Sequence, residues 1–479
     1  MYAPCRKWCK PRGIEGWLRS SARPWAGLVT TIVLLAALFA SLAWAEVRKD
    51  RTVVLVSVDG LGHAYLRDPK ADMPTIRRLA REGAMAEGMV TVFPSVTWTA
   101  HATISTGVYP RRHGILANDI FERTTRQKVT LLCDPVYEPA EILRSPTIYD
   151  VAYRAGLVTA GVLWPLTKNT RTMHFAAPDM PGDDAWSRFG TPQWIAALRE
   201  KGLPVDDHGR WCRESGGGVP RDWLYTRMTR QLLLEHQPNL ILIHLVEPDH
   251  VQHRTGPYSG DAYWAASYAD DRIRDIWEAI LASPRAKSTY LIVCSDHGFF
   301  PIRKTIQPNV LLRELGFVEI QGGKAVPKAA WCLSQGGAAA VYVLDDTRRK
   351  EIVAELAERF AQVEGIERVL VGAEVQALGQ AVPEEHPWAP DLWLAAKRDY
   401  VFGESISGDL IVERPTVGGT HGYLPDDPDM WAMCVIWGPG ITPGTQLGKV
   451  RIVDLAPTIA ALLGLEFGHA DGRPLVHVP

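Results

Sequence analysis

The sequence predicts an α/β fold: a mostly parallel central sheet with helices on both faces and a smaller α/β subdomain inserted into it. Two observations lead there. Short apolar strand-like runs alternate with helical stretches over most of the chain, the rhythm of βαβ units. Three aspartates, Asp59, Asp249 and Asp296, sit just past the ends of such runs. In sheets of this kind ligands gather at the carboxyl ends of the strands, so the three carboxylates are expected to share one site.

Taken in order, Thr52–Val58 reads as a buried strand and Thr75–Glu82 as a helix closed by Gly83. Trp98–Thr106 is an apolar, helix-like run. Val158–Trp164 reads as a strand, and residues 179–220, rich in Gly, Pro and Trp, as a long loop region near the site. Arg221–Gln237 is an amphipathic helix leading into the strand Asn239–Val246. Asp261–Ala282 is a long helix, Thr289–Cys294 and Met433–Trp437 are strands, and Leu455–Leu463 is a late helix followed by Gly464. Residues 300–416 hold their own elements: Ala339–Leu344, Arg348–Gln362, Arg368–Val371 and Asp391–Ala395. The expected division is a catalytic domain of residues 46–299 and 417–479, with 300–416 as the inserted subdomain or lid.

The chain has 479 residues, 46% hydrophobic and 22% charged, an ordinary globular composition. A net charge of -2 argues against binding a nucleic-acid polymer through bulk charge. Arg6, Lys7, Lys10, Arg12, Arg19 and Arg23 precede an apolar run, Leu28–Leu42, and then Ala43-Trp44-Ala45. This reads as a cleaved export signal over residues 1–45. The alternative is an uncleaved membrane anchor, although the run is short of the roughly 20 residues of a span. Either way the rest of the chain is expected outside the cytoplasm, periplasmic or extracellular. Beyond that cut lie Cys133, Cys212, Cys294, Cys332 and Cys434. Cys294 and Cys434 read as buried thiols. A Cys133–Cys212 or Cys212–Cys332 bridge is open to an exported chain, and the sequence does not choose.

The chemistry lies in five short segments: the strand end at Asp59, P-S-V-T-W-T-A-H around Thr97, E-P-D-H-V-Q-H around Asp249 and His253, S-D-H-G around Asp296 and His297, and G-T-H-G around His421. Alone, Thr97 would be a helix N-cap. Among metal ligands its hydroxyl becomes a candidate nucleophile, because coordination lowers its pKa. Asp249 and His253 are four residues apart, so on a helix they face the same way, with His250 turned elsewhere. Mixed Asp and His ligation favours zinc over magnesium, and two such ions would clamp the attacking and leaving oxygens of a phosphoryl or sulfuryl transfer.

These segments, in this order, resemble the alkaline phosphatase superfamily, and most of all its type I phosphodiesterase / nucleotide pyrophosphatase branch. T-G-V-Y-P-R-R-H-G-I-L-A-N, ending at Asn118, is similar to that family's TGxYPxxHGIxxN. The resemblance implies that Asp249, His253 and His421 hold one zinc ion. It gives the other to Asp59, Thr97, Asp296 and His297, with Thr97 as nucleophile. It also implies that Asn118, helped by the Trp98 N–H, donates to a phosphoryl oxygen, and that turnover passes through a phosphothreonine. The substrate implied is a small phosphate ester, foremost a diester of nucleotide or phospholipid type.

Two positions depart from the pattern. Thr99 and Ala100 follow the nucleophile where the family commonly has T-F-P-N-H, and W-P-L-T-K-N places Lys168 where an acidic residue is usual. An active-site Lys168 would favour a phosphomonoesterase or phosphonate hydrolase; otherwise it is a solvated loop lysine. A sulfatase is disfavoured because the C/S-x-P-x-R pattern is absent. An inactive binding protein that keeps the fold is disfavoured by the intact ligand set and nucleophile.

Overall fold

The computed structural model describes residues 46–322 and 324–478. The segment 1–45, read above as export signal or anchor, lies outside them. Among the described residues no helix is long and apolar enough to cross a membrane.

The strand Thr52–Val58 is buried along its whole length, as expected of a β-branched run covered on both faces. It pairs in parallel with Leu240–Leu245 on one side and Thr289–Cys294 on the other. Beyond Leu240–Leu245 the parallel strands Thr159–Trp164 and Phe175–Pro178 complete one edge. Beyond Thr289–Cys294, Cys434–Trp437 runs antiparallel, followed by the short strands Ala84–Met85 and Thr445–Gln446.

Alternate residues of each central strand feed two cores. On one face Val54, Val56, Ile241, Ile243 and Leu291 meet Ile76, Leu79, Met228, Ile273 and Ile276 from the helices Pro74–Glu82, Gly218–Gln231 and Gly260–Ala282. On the other, Val53, Leu55, Leu242 and Ile292 meet Ala100, Ile104, Ile148, Ile459 and Leu462 from Thr97–Thr106, Ile148–Arg154 and Leu455–Leu463. Burial on both faces explains why these strands read as continuous apolar runs rather than alternating ones.

Ala330–Gln335, Ala338–Val343, Leu392–Ala396 and Ile366–Leu370 form a separate antiparallel sheet. Ile352, Leu356 and Phe360 of the helix Arg349–Ala361 pack with it in a third core that also takes in Phe300, Tyr423 and Met430. Phe300–Ile306 pairs with Asp399–Phe402 and with Ile411–Thr420, and the last of these delivers the chain to His421.

Two expectations are corrected. The region 179–220 contains the helices Ala185–Phe189, Pro192–Glu200 and His208–Arg213. Its prolines and glycines punctuate helices instead of preventing them: Pro192 opens one as its first residue, and Trp194, Ile195 and Leu198 bury its inner face. The helix expected over Arg221–Gln237 starts at Gly218, and its last turn widens to a π-turn, Leu232–His236, that ends on Gln237 at φ 51°. Cys133, Cys212, Cys294, Cys332 and Cys434 are all free thiols here.

Candidate active site

Strand register sets the level of the site. Val58 pairs with Leu245, and Ser57 with Cys294, so the three central strands end side by side. Asp59 is the next residue of the first. The second runs into the helix Glu247–Thr255, which bears Asp249 and His253, and the third into Ser295, Asp296 and His297.

The ligand atoms converge. Asp249 Oδ1 lies 3.4 Å from His253 Nε2 and 3.7 Å from His421 Nε2. His297 Nε2 lies 3.4 Å from Asp59 Oδ1 and 3.3 Å from Asp296 Oδ2. The His297 and His421 rings stack with centroids 3.8 Å apart. Among the described residues two sets have ligand atoms within 4.8 Å of one another: Asp249 with His253 and His421, and Asp59 with Asp249 and His297. Asp249 thus reaches both groups. Asp296 uses Oδ1 to accept the Gly60 and His297 N–H groups, each at 3.0 Å, and keeps Oδ2 toward the centre.

The histidines are oriented as ligands. Nδ1 of His253 bonds the Gly419 carbonyl at 3.0 Å, that of His421 the Ser95 carbonyl at 2.8 Å, and that of His297 the Gly298 carbonyl at 3.2 Å. A carbonyl only accepts, so each Nδ1 carries a proton and Nε2 is the ring atom turned toward the centre.

Asp59 Oδ1, Asp249 Oδ1, Asp296 Oδ2 and His297 Nε2 are buried without a hydrogen-bond partner, a state that normally costs about 1–3 kcal/mol per group. Burial, then repulsion from Asp296 and Asp249, pushes Asp59 well above the usual carboxylate range. For Asp249 burial is outweighed by His253, His421 and His297, and its pKa falls. Burial takes His297 down to about 4 and His421 to about 3, leaving neutral imidazoles. Burial opposes a charged His253 as well, but Asp249 outweighs it and raises this ring. Crowded carboxylates and imidazoles, with orphaned ligand atoms aimed inward, fit a pair of divalent cations.

Thr97 is the first residue of the helix Thr97–Thr106; Val96 holds the cap position and makes no side-chain cap bond. The helix lies against the cluster, because His101 Nδ1 bonds the Thr97 carbonyl at 2.9 Å and sits 3.7 Å from Asp296 Oδ2. Ser95 Oγ accepts the Gly422 N–H at 3.0 Å, which ties the loop before Thr97 to the loop of His421. The Trp98 N–H, expected to face the phosphoryl group, is instead donated to Asn118 Oδ1 at 3.0 Å. Asn118 is thereby oriented, with its amide N–H groups left for a ligand.

Lys168 is buried behind Trp98. Its ammonium lies 3.1 Å from Glu138 Oε1 and donates to the Asp134 carbonyl at 3.1 Å, while Asp134 Oδ1 accepts the Trp98 indole N–H. His250 turns from the centre toward Arg221, which donates to its Nδ1 at 3.2 Å.

Sequence reasoning missed His244. Its Nε2 lies 3.1 Å from Asp59 Oδ2 and its Nδ1 3.7 Å from Asp179 Oδ2. Burial opposes the charged imidazole, but the nearby Asp179 carboxylate and the hydrogen bond to Asp59 outweigh it and hold the ring at about 10. The signal was present: His244 is the one ionisable residue in the otherwise apolar strand Leu240–Leu245.

Fold and site together define an alkaline-phosphatase-like α/β protein with a carboxylate–imidazole centre beside a threonine at a helix start. The chain belongs to the type I phosphodiesterase / nucleotide pyrophosphatase family, whose model matches residues 53–424. It is 27% identical over 426 residues to a venom phosphodiesterase of Macrovipera lebetinus, covering 86% of this chain and 43% of that one. The chain therefore spans less than half the length of the venom enzymes it matches. Ectonucleotide pyrophosphatase/phosphodiesterase family member 7 of Mus musculus is 25% identical over 455 residues, covering 93% of this chain and 91% of its own. In structure the chain is similar to murine ectonucleotide pyrophosphatase / phosphodiesterase 5, with a TM-score of 0.66 at 18% identity, over 88% of this chain and 98% of that one. An inactive variant of that protein in complex with AMP matches with a TM-score of 0.65, over 88% of this chain and 97% of its own.

Proposed function

We propose that this chain is an exported two-metal hydrolase that cleaves small phosphodiesters, of nucleotide or phospholipid type, through a phosphothreonine on Thr97. One observation carries the reading: the orphaned atoms of Asp59, Asp249, Asp296 and His297 converge beside the helix that starts at Thr97.

Asp249, His253 and His421 would hold one ion, and Asp59, Asp296, His297 and Thr97 the other; ligand atoms of Asp249 group with His253 and His421 and also with Asp59 and His297, and Asp296 Oδ2 lies 3.3 Å from His297 Nε2. Two divalent ions, zinc in this reading, supply charge neutralisation for the attacking and leaving oxygens. The chain's own residues do the rest. Thr97 Oγ forms the new bond to phosphorus as the ester oxygen leaves. Asn118 donates an amide N–H to a phosphoryl oxygen. Water then attacks phosphorus, the P–Oγ bond breaks, and a water proton returns to Thr97 Oγ. The helix start adds the partial positive charge of its first-turn N–H groups.

Lys168 supports the diester over the monoester reading, since Glu138 and the Asp134 carbonyl already take up its ammonium. Relatives named as venom and ectonucleotide enzymes support export, with membrane attachment through residues 1–45 as the variant form. In this reading residues 46–299 and 417–479 form the catalytic part, and 300–416 an inserted subdomain whose Gln335 accepts the Asn118 backbone N–H at 3.1 Å.

The test compares kcat/KM for a nitrophenyl phosphodiester and the matching monoester, with metal content measured before and after chelation. Diester preference lost on chelation and restored by zinc supports the proposal. Monoester preference moves the chain to the phosphatase reading and Lys168 into the site. A protein that binds the ester but never turns it over, with metals present, is the inactive binding protein.

A further inference from the structure

We propose that His244 is a positioning residue that holds Asp59 as a one-oxygen metal ligand and is itself held by Asp179. The inference rests on the two-ion reading of the site and concerns how this chain builds one half of it.

His244 sits in a central strand, and its side chain is 1% exposed. Its Nε2–H donates to Asp59 Oδ2 at 3.1 Å. That engages one carboxylate oxygen and leaves Oδ1, buried without a hydrogen-bond partner and 3.4 Å from His297 Nε2, as the atom aimed at the centre. A carboxylate with both oxygens free can rotate or change its mode of ligation; anchoring one oxygen removes that freedom.

The imidazole is flanked on its other sides, where Nδ1 is buried without a hydrogen-bond partner of its own. Nδ1 faces Asp179 Oδ2 at 3.7 Å, just past the end of the edge strand Phe175–Pro178. The His101 ring lies 4.4 Å away, centroid to centroid, and is itself pinned by the Thr97 carbonyl. Asp179, His244 and Asp59 thus form a chain across the carboxyl ends of the sheet, from its edge to the centre. The chain ends on Asp59, so its effect falls on one ion group and spares the Asp249, His253 and His421 group.

The experiment uses the chain loaded with zinc, titrated against a chromophoric chelator, with folding checked by circular dichroism. The variants are His244→Leu, His244→Gln and Asp179→Asn. Loss of a ligand-orienting partner weakens metal affinity by about 10–100-fold, so His244→Leu is expected to weaken one of two ions by that factor and leave the other unchanged. His244→Gln, whose amide can donate to Asp59 Oδ2, restores most of the affinity; a purely packing role would not show that rescue. A folded His244→Leu that holds both ions as tightly as the wild type overturns the inference alone. If His244→Leu does not fold, Asp179→Asn decides: several-fold weaker binding of one ion supports the chain, and unchanged binding overturns it. A wild-type protein that binds no divalent ion overturns the two-ion reading, and this inference with it.

Discussion

The Trp98 backbone N–H and the Asn118 side-chain oxygen are joined at 3.0 Å, so the residue after Thr97 sets the rotation of the Asn118 amide. Only the amide N–H groups of Asn118 then remain free to stabilise charge on a phosphoryl oxygen. Asn118→Ala is expected to lower kcat by about 100- to 1000-fold, the usual effect of deleting one such donor. Asn118→Asp should fall at least as far, because it still accepts from Trp98 but offers no donor and repels the ester. Steady-state kinetics on the diester, with metal content measured beside it, checks both. Wild-type kcat in Asn118→Ala would remove Asn118 from the mechanism.

Thr97→Ala is expected to abolish turnover while keeping fold and metal content, since four of the inward-facing ligand atoms belong to other residues. Thr97→Ser keeps a hydroxyl at the same helix position and should retain part of the activity. Acid quench of labelled substrate should trap phosphoprotein in the wild type and none in Thr97→Ala. Equal turnover by the alanine variant would eliminate Thr97 as nucleophile.

Asp134 gives a pH dependence away from the metal ligands. Burial, partly offset by the Trp98 indole bond, raises its carboxyl to about 7. A raised acid binds its proton more tightly folded than unfolded. Its contribution is therefore neutral below the unfolded value of about 4, and it destabilises progressively as pH rises toward 7. Asp134→Asn keeps an acceptor for the indole N–H, tolerates the residue's φ of 47°, and carries no such penalty. Its melting temperature relative to wild type should rise between pH 5 and pH 8; a pH-independent difference would refute the assignment.

The framework was legible because chemistry and periodicity coincide at the strand ends. Thr52–Val58, Thr289–Cys294 and Leu455–Leu463 were read to the residue, since continuous apolar runs mark strands and helices covered by packing. Asp59, Asp249 and Asp296 stood out as carboxylates just beyond such runs. What was not legible depends on contacts distant in sequence. His244 meets Asp59 across 185 residues, and nothing near it signals that pairing except its presence in an apolar strand. The Trp98–Asn118 bond spans 20 residues and depends on where two loops meet. The helices of 179–220 are hidden in the sequence because Gly and Pro usually mark loops, whereas here Gly190 and Pro192 sit at helix ends.

Gly60 directly follows Asp59. Its φ is 69°, in the left-handed region, and a Cβ there would come 2.5 Å from the Phe299 ring. Its N–H also donates to Asp296 Oδ1 at 3.0 Å, so this one residue links the turns behind two ligands. Phe299 cannot simply retreat, because its ring packs against His253, His297 and His421. Gly60→Ala should therefore lose about 1–2 kcal/mol from the backbone conformation alone. Displacement of Phe299 adds to that loss and shifts three imidazoles. The expected result is a lower melting temperature together with reduced occupancy by divalent metal, read by calorimetry and elemental analysis. A variant that loses stability but keeps two tightly bound ions would mean that the Phe299 contact is structural and does not shape the metal centre.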